Sequence, residues 1–220
     1  VVPLPFELAI LPRALFRWIK LSVVSYALPA LIAVGQVKFH FNPPTNPVTR
    51  FIRRVTQNKT LQFLGQLQPH NGGFLEAAPL TAFVTMSLAA IGNRQSSVVK
   101  KGVDFLIKSV RQDGSWPIDT DLATWLTTLS INALGQDVFS VLNTEQRKTI
   151  QNWLLQQQFQ TIHPFTGAAP GGWGWTDKPG SVPDADDTAG ALIALHHFNS
   201  EDTAVYSAAR KGTRWLMDIQ

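Results

Sequence analysis

Three carboxylates within four residues, Asp184, Asp186 and Asp187, open an apolar run in the string Val182-Pro183-Asp184-Ala185-Asp186-Asp187-Thr188-Ala189. The preceding Pro and the following Gly190–Leu195 place this string where a loop becomes a helix. Asp184 therefore reads as an N-cap, with Asp186 and Asp187 in the first turn, where acids complement the positive end of the helix dipole. Crowded acids can also do chemistry. An isolated Asp, with a pKa of about 3.9, is ionised near neutrality. Two carboxylates ~5 Å apart at an effective dielectric of ~20 repel by roughly 3 kcal/mol, about two pKa units. A packed cluster therefore retains a proton that belongs to the group. Such a proton is available for donation to a substrate. Once the proton is transferred, the helix N-terminus stabilises the remaining carboxylates.

Other chemistries are poorly supplied. The 220 residues contain no Cys, which removes thiolate nucleophiles, disulfides and Cys-ligated metals. His40, His70 and His163 have no ligand spacing. His196 and His197 are near the acids in sequence but at the far end of the same helix, as surface or packing residues. Seven Trp and 13 Phe against two Tyr favour apolar packing or an apolar ligand over a sugar or nucleotide. Residues 1–110 carry 12 Lys/Arg and three Asp/Glu, whereas residues 111–220 carry seven and 12. The basic residues are scattered along helical spans, with no aromatic–basic signature of nucleic-acid binding. The most apolar run, Leu21 to Gly35, contains Pro29 and is shorter than the ~20 residues a spanning helix needs.

The elements that must position the acids are repeated. Lys59, Phe63, Leu64, Gln68 and Gly72-Gly73-Phe74 form one block, and Lys101-Gly102, Phe105, Leu106 and Gly114-Ser115-Trp116 form a second, offset by 42 residues. Trp153-Leu154 with Gln158 starts a third, which ends in Gly171-Gly172-Trp173; Lys211-Gly212 with Trp215-Leu216 and Gln220 starts a fourth. Between the blocks, apolar runs from Ala82 to Ile91, Leu122 to Leu134 and Ala185 to Phe198 end at Gly92-Asn93, Gly135 and Asn199, all helix stops. Asn42–Pro47 and Thr161–Pro183 read as loops. A period of 40 to 60 residues predicts an all-α chain of stacked helical hairpins in an α/α barrel or solenoid. Where Gln68 occupies the tenth position of its block, its amide is expected to bond free carbonyls at the helix C-terminus, fastening the outer helix of one hairpin to the next.

The block resembles the Gln-Trp repeat of squalene-hopene cyclases and related triterpene cyclases, [Lys/Arg]-[Gly/Ala]-x-x-[aromatic]-[Leu/Ile/Val]-x-x-x-Gln-x-x-x-Gly-x-Trp. Lys101 to Trp116 follows that pattern except at Val110, where Gln is expected; Lys59 to Phe74 has Thr60 for the small residue and Phe74 for Trp. The string Asp184 to Ala189 is similar to the family's acid motif. Pro5-Phe6-Glu7, Leu11-Pro12, Lys20-Leu21-Ser22 and Leu28-Pro29 resemble an upstream region, in which Val24 and Tyr26 replace a Trp and an Arg. Leu122 to Thr127 resembles a Pro-Val-Trp-Asp-Thr segment, with Leu126 replacing the Asp.

The resemblance implies two α/α-barrel domains with a cavity between them. Residues 1–120 would end one barrel, and residues 121–220 would begin the catalytic one. It implies that Asp186 protonates a linear polyprene such as squalene, that Asp184 and Asp187 hydrogen-bond and polarise it, and that Trp125 and Trp173 lie near substrate. It further implies no metal or organic cofactor, because proton-initiated cyclisation needs only an acid and a cavity. Monotopic attachment to the cytoplasmic face of a membrane is a further implication. The fourth block stops at position ten of sixteen and the family's supporting His falls beyond Gln220, so a longer protein is expected and the 220 residues alone should be inactive. The alternative is a non-catalytic helical-repeat module that binds a lipid or a partner protein, with the acids serving as caps.

Overall fold

The computed structural model describes residues 4–12, 28–164, 166–198 and 201–219. Lys20–Tyr26, Asn199 and Gln220, named above, lie outside them. The described chain is all-helical, with no strand: α1 (Leu28–Phe41), α2 (Pro47–Leu67), α3 (Ala78–Ala90), α4 (Ser97–Lys108), α5 (Ala123–Leu134), α6 (Thr144–Gln156), α7 (Ala185–His197) and α8 (Thr203–Asp218). Short 3₁₀ turns at Phe6–Ile10, Phe74–Glu76 and Gly135–Asp137 and one helical turn at Val138–Val141 join them. The starts follow capping chemistry. Asn46 Oδ1 accepts from the Val48 and Thr49 N–H groups ahead of α2, with Pro47 in its first turn. Asn143 and Gln146 form a reciprocal capping box for α6. Helix α3 begins at Ala78, earlier than its apolar run suggests, because Pro79 is accommodated in a first turn whose N–H groups need no intrahelical partner.

The chain divides into two compact units, Val1–Thr120 and Asp121–Gln220. In the first, α1 packs on α3, and α3 on α4. Glu7, on the first 3₁₀ turn, accepts from Arg53 Nε at 3.1 and 3.0 Å through its two oxygens, and the Arg53 guanidinium lies 5.6 Å from the centre of the Phe6 ring. In the second unit, α5 packs on α7, and α7 on α8. Its core contains Ile131, Val138, Leu154, Trp173, Leu195 and Phe198.

The repeat builds the same joint in each unit. Gln68 Nε2 donates to the carbonyls of Gly72 and Val98, both at 3.0 Å. Gln158 Nε2 donates to those of Gly171 at 2.8 Å and Ala208 at 2.9 Å. A Gln tie from the end of one helix to a later helix is as expected. The acceptors, however, are not the orphan carbonyls of the Gln's own helix. They are a loop carbonyl and one on the next helix but one, Val98 on α4 or Ala208 on α8, whose second lone pair remains free for a side-chain donor.

The neighbouring glycines let backbones meet. At Gly72, with φ +92°, a Cβ would overlap the Lys101 carbonyl; at Gly171, with φ +121°, it would lie 2.9 Å from the Lys211 carbonyl. The following aromatic is then locked. The Phe74 and Trp173 N–H groups each donate at 2.9 Å to the hydroxyl of a Thr on the next helix, Thr81 and Thr188 respectively. Val110, where a third Gln would stand, offers no amide, and its side chain is exposed.

Candidate active site

The acid string sits at the start of α7, where the loop 157–184 is held from several sides. Trp173 O accepts the Asp184 N–H at 3.0 Å, and the Thr188 hydroxyl receives the Trp173 N–H. Trp175 O accepts the Trp125 N–H at 3.0 Å, which attaches the loop to α5. Asp121 Oδ1 accepts from the Thr176 hydroxyl at 2.6 Å and from the Ala123 N–H at 3.0 Å, so one carboxylate secures the loop and takes up the first N–H of α5.

Within the string the three acids occupy different surroundings. Asp184 is the N-cap of α7: its Oδ1 accepts the Asp187 N–H at 2.8 Å. Asp187 is only 4% exposed, and its Oδ1 has no hydrogen-bond partner. Burial, a hydrogen bond from its side chain to Asp184 and the charges of Asp184 and Asp186 push the Asp187 pKa up to about 8. Burial also raises the Asp184 pKa, with the Asp186 charge adding to it, against the opposing pull of its bonds with Asp187. The two therefore form a pair that retains a proton at neutral pH. Asp186 points outward and is exposed. Asp184 and Asp187 are brought together; Asp186 stands apart on the accessible face.

Asp186 and the half-exposed Ile193, seven residues apart, lie along one side of α7, with Ala189 and Gly190 between them. Helix α5 packs beside α7 where Thr128 faces Gly190, and Asn132 Nδ2 donates to the Gly190 carbonyl at 3.2 Å. It leaves Trp125, 42% exposed, with Leu126 and Leu129 also open. Trp173 is different. It is 0% exposed, its indole N–H donates to Leu154 O at 2.8 Å and Gly212 packs against its ring, so both its faces and its donor are taken up by protein. At the other end of α7, His196 is exposed and His197 lies near Gly135.

Sequence reasoning passed over His163. It is buried, its Nδ1 accepts the Thr166 N–H at 3.1 Å and its Nε2 lies 3.0 Å from Ser181 O. An N–H can only donate and a carbonyl can only accept, so the ring is the neutral Nε2–H tautomer. It ties the two arms of the loop three residues before Asp184. A His-Pro pair in a Gly-rich loop is the visible signal; the partner 18 residues away is not. Among the described residues, no group of three or more His, Cys, Asp or Glu is arranged to hold a metal ion, and no helix is long and apolar enough to cross a membrane.

No family model matches the chain. It is similar to sporulenol synthase of Bacillus subtilis (strain 168), with 26% identity over 158 residues, 68% of this chain and 24% of that protein. The chain thus spans about a quarter of the length of the curated relative it matches.

Proposed function

We propose that the chain is part of a class II terpenoid cyclase that starts the cyclisation of a linear polyprene, squalene or a similar compound, by protonation. The observation that carries this reading is the unequal acid cluster: a proton-retaining pair of half-buried Asp184 and buried Asp187 next to an accessible Asp186, in a unit whose exposed side chains include the apolar Trp125, Leu126, Leu129 and Ile193. Similarity to part of a protein named as a synthase of sporulenol supports it.

In this mechanism Asp186 is the delivering acid. An apolar chain lying over it excludes water, which favours the neutral form of a carboxyl group. The O–H bond then breaks, and a C–H bond forms at the less substituted carbon of a terminal alkene. The positive charge develops at the more substituted carbon, where the next alkene attacks it. The carboxylate left behind is stabilised by the N-terminus of α7. Asp187, neutral and hydrogen-bonded to Asp184, adds no second negative charge beside the carboxylate that Asp186 becomes, which eases release of the proton. Trp125 offers a π face to a passing cation, and Trp173 contributes by fixing the loop ahead of the acids. The reaction consumes no oxidant or co-reactant, and attachment to a membrane surface suits so apolar a substrate.

A non-catalytic repeat module accounts for Asp184 as a cap and Asp186 as a dipole partner. It gains nothing from burying Asp187, which opposes folding near neutrality. The test is Asp186→Asn in the full-length polypeptide, assayed with squalene by gas chromatography. Loss of cyclised product with unchanged circular dichroism is expected; wild-type product from the variant would overturn the proton-donor role.

A further inference from the structure

The arm of the loop that delivers Asp184 to α7 is buried backbone. Gly180, Ser181, Val182 and Pro183 are all buried, directly after the exposed tip 177–179. A buried carbonyl needs a donor. Ser181 O finds one in the His163 ring, whose Nε2–H lies 3.0 Å away. Three residues on, the Asp184 N–H donates to Trp173 O at 3.0 Å. The arm is thus pinned at two points. Three residues span at most ~10 Å, so a shift at Ser181 is felt at Asp184. Between the pins, the Val182 carbonyl occupies the place that a Cβ on Gly174 would take.

The ring is itself fixed. The His163 N–H donates to Ala168 O at 2.9 Å and the Gly167 N–H to His163 O at 2.8 Å, closing the turn that carries it. The Phe159 and His163 rings meet edge to face, with centres 5.3 Å apart. Phe159 is bonded to the other arm, its N–H to Gly172 O at 2.9 Å and its O to the Gly171 N–H at 2.8 Å. With Nδ1 accepting from Thr166 and Nε2 donating to Ser181, both ring nitrogens are engaged in opposite senses. What the pinned arm delivers is the cap. Asp184 Oδ1 holds the Asp187 N–H at 2.8 Å, and Asp187 is buried with its Oδ1 unpartnered among the described residues. An arm released at Ser181 would move the cap and admit water to Asp187, which favours the charged carboxylate.

We propose that His163 is a positioning residue for the acid pair: its Nε2–H, through the Ser181 carbonyl, holds Asp184 at the start of α7 and keeps water from Asp187. The state of the pair does not depend on the cyclase reading. The consequence for turnover does, because it takes Asp186 as the proton donor.

Two substitutions divide the ring. His163→Gln reaches as far as Nε2 and can donate to Ser181 O; His163→Asn ends where Nδ1 stands and can only accept from the Thr166 N–H. Neither residue titrates. Carbon-13 NMR of aspartate-labelled protein, with the Asp187 signal assigned from Asp187→Asn, follows that carboxyl against pH. The midpoint is expected at about 8 in the wild type. It should fall by about one unit or more in His163→Asn and by less than about 0.3 unit in His163→Gln. A wild-type midpoint in His163→Asn, or an equal fall in both variants, would overturn the proposal. Hydrogen exchange on the wild type tests it without a variant: the ring N–H and the Asp184 and Asp187 amides should have protection factors within about tenfold of one another. A ring N–H about a hundredfold less protected than both amides would mean that the arm stands without the tie, and would equally overturn it. In the full-length polypeptide with squalene, His163→Asn should lower kcat about tenfold with KM unchanged within about twofold, and His163→Gln should restore it. Wild-type kcat in His163→Asn would refute the role in turnover. A wild type that forms no product would refute the cyclase reading and leave the titration to decide the role of His163.

Discussion

Removing the charge from Asp187 should stabilise the second unit, and only over a defined pH range. The carboxyl is buried, with one oxygen unpartnered, and its pKa rises from 3.8 to about 8 on folding. Between those values the native state holds a proton that the unfolded chain has released, so stability falls as pH rises through this window. Below it both states are protonated, and the cost disappears; above it the cost is complete. A shift of about four units at 1.36 kcal/mol per unit corresponds to about 5 kcal/mol, and partial hydration and sharing of the proton with Asp184 bring the expected value to about 2–3 kcal/mol. Asp187→Asn keeps a donor for Asp184 and cannot ionise. Its stability should match wild type within about 1 kcal/mol near pH 4 and exceed it by about 2–3 kcal/mol at pH 8. Urea unfolding at a series of pH values measures this. Five of the seven Trp lie in residues 121–220, so fluorescence follows the relevant unit. Taking the difference between the two proteins cancels the other titrating groups. Parallel stability curves from pH 5 to 8, or a variant less stable than wild type at pH 8, would refute the buried-proton argument.

The Gln joints can be probed directly: Gln158→Leu leaves two carbonyl acceptors without their donor and should cost about 2–3 kcal/mol in urea unfolding, whereas Val110→Gln, at an exposed position, should change stability by less than about 0.5 kcal/mol. Gly212→Ala places a methyl group 2.7 Å from the Trp173 ring and should lower stability by about 1–3 kcal/mol, with a shift in Trp emission. Asp186→Asn, at an exposed site with no cap to lose, should leave the free energy of urea unfolding unchanged within about 0.5 kcal/mol, so loss of product would reflect chemistry rather than unfolding.

Much of the architecture is written in local pattern. The 42-residue offset between Lys59 and Lys101 marks the hairpins because Gly, Gln and an aromatic are each needed at one place in the joint. Helix ends at Gly135 and at Gln68 are equally local. The acid string locates the start of α7 for the same reason, since Asp184 caps it as expected. What the string conceals is the difference between its members. Asp186 and Asp187 are adjacent and chemically identical, but one residue turns a helix by ~100°, enough to send one outward and the other into the protein; which is which depends on the side against which the rest of the unit packs. Trp125 and Trp173 divide in a similar way, one open and one enclosed. The His163–Ser181 tie is invisible for another reason: its partner is set by the path of a loop rather than by a periodicity.

The Gly–aromatic joint of the second unit is made of two parts: a loop that contributes bare backbone and an indole ring, and a helix that contributes a small residue to receive it, Gly171-Gly172-Trp173 against Lys211-Gly212-Trp215. A hairpin that carries a receiving helix at one edge and a presenting loop at the other works as a connector with unlike ends. Copying a whole hairpin in tandem supplies both halves of the new joint and leaves the old ones matched. Copying half of one leaves two rings without a seat, or two seats without a ring. The geometry of the joint thus sets the quantum in which such a chain can lengthen: one complete hairpin at a time, with no fractional step.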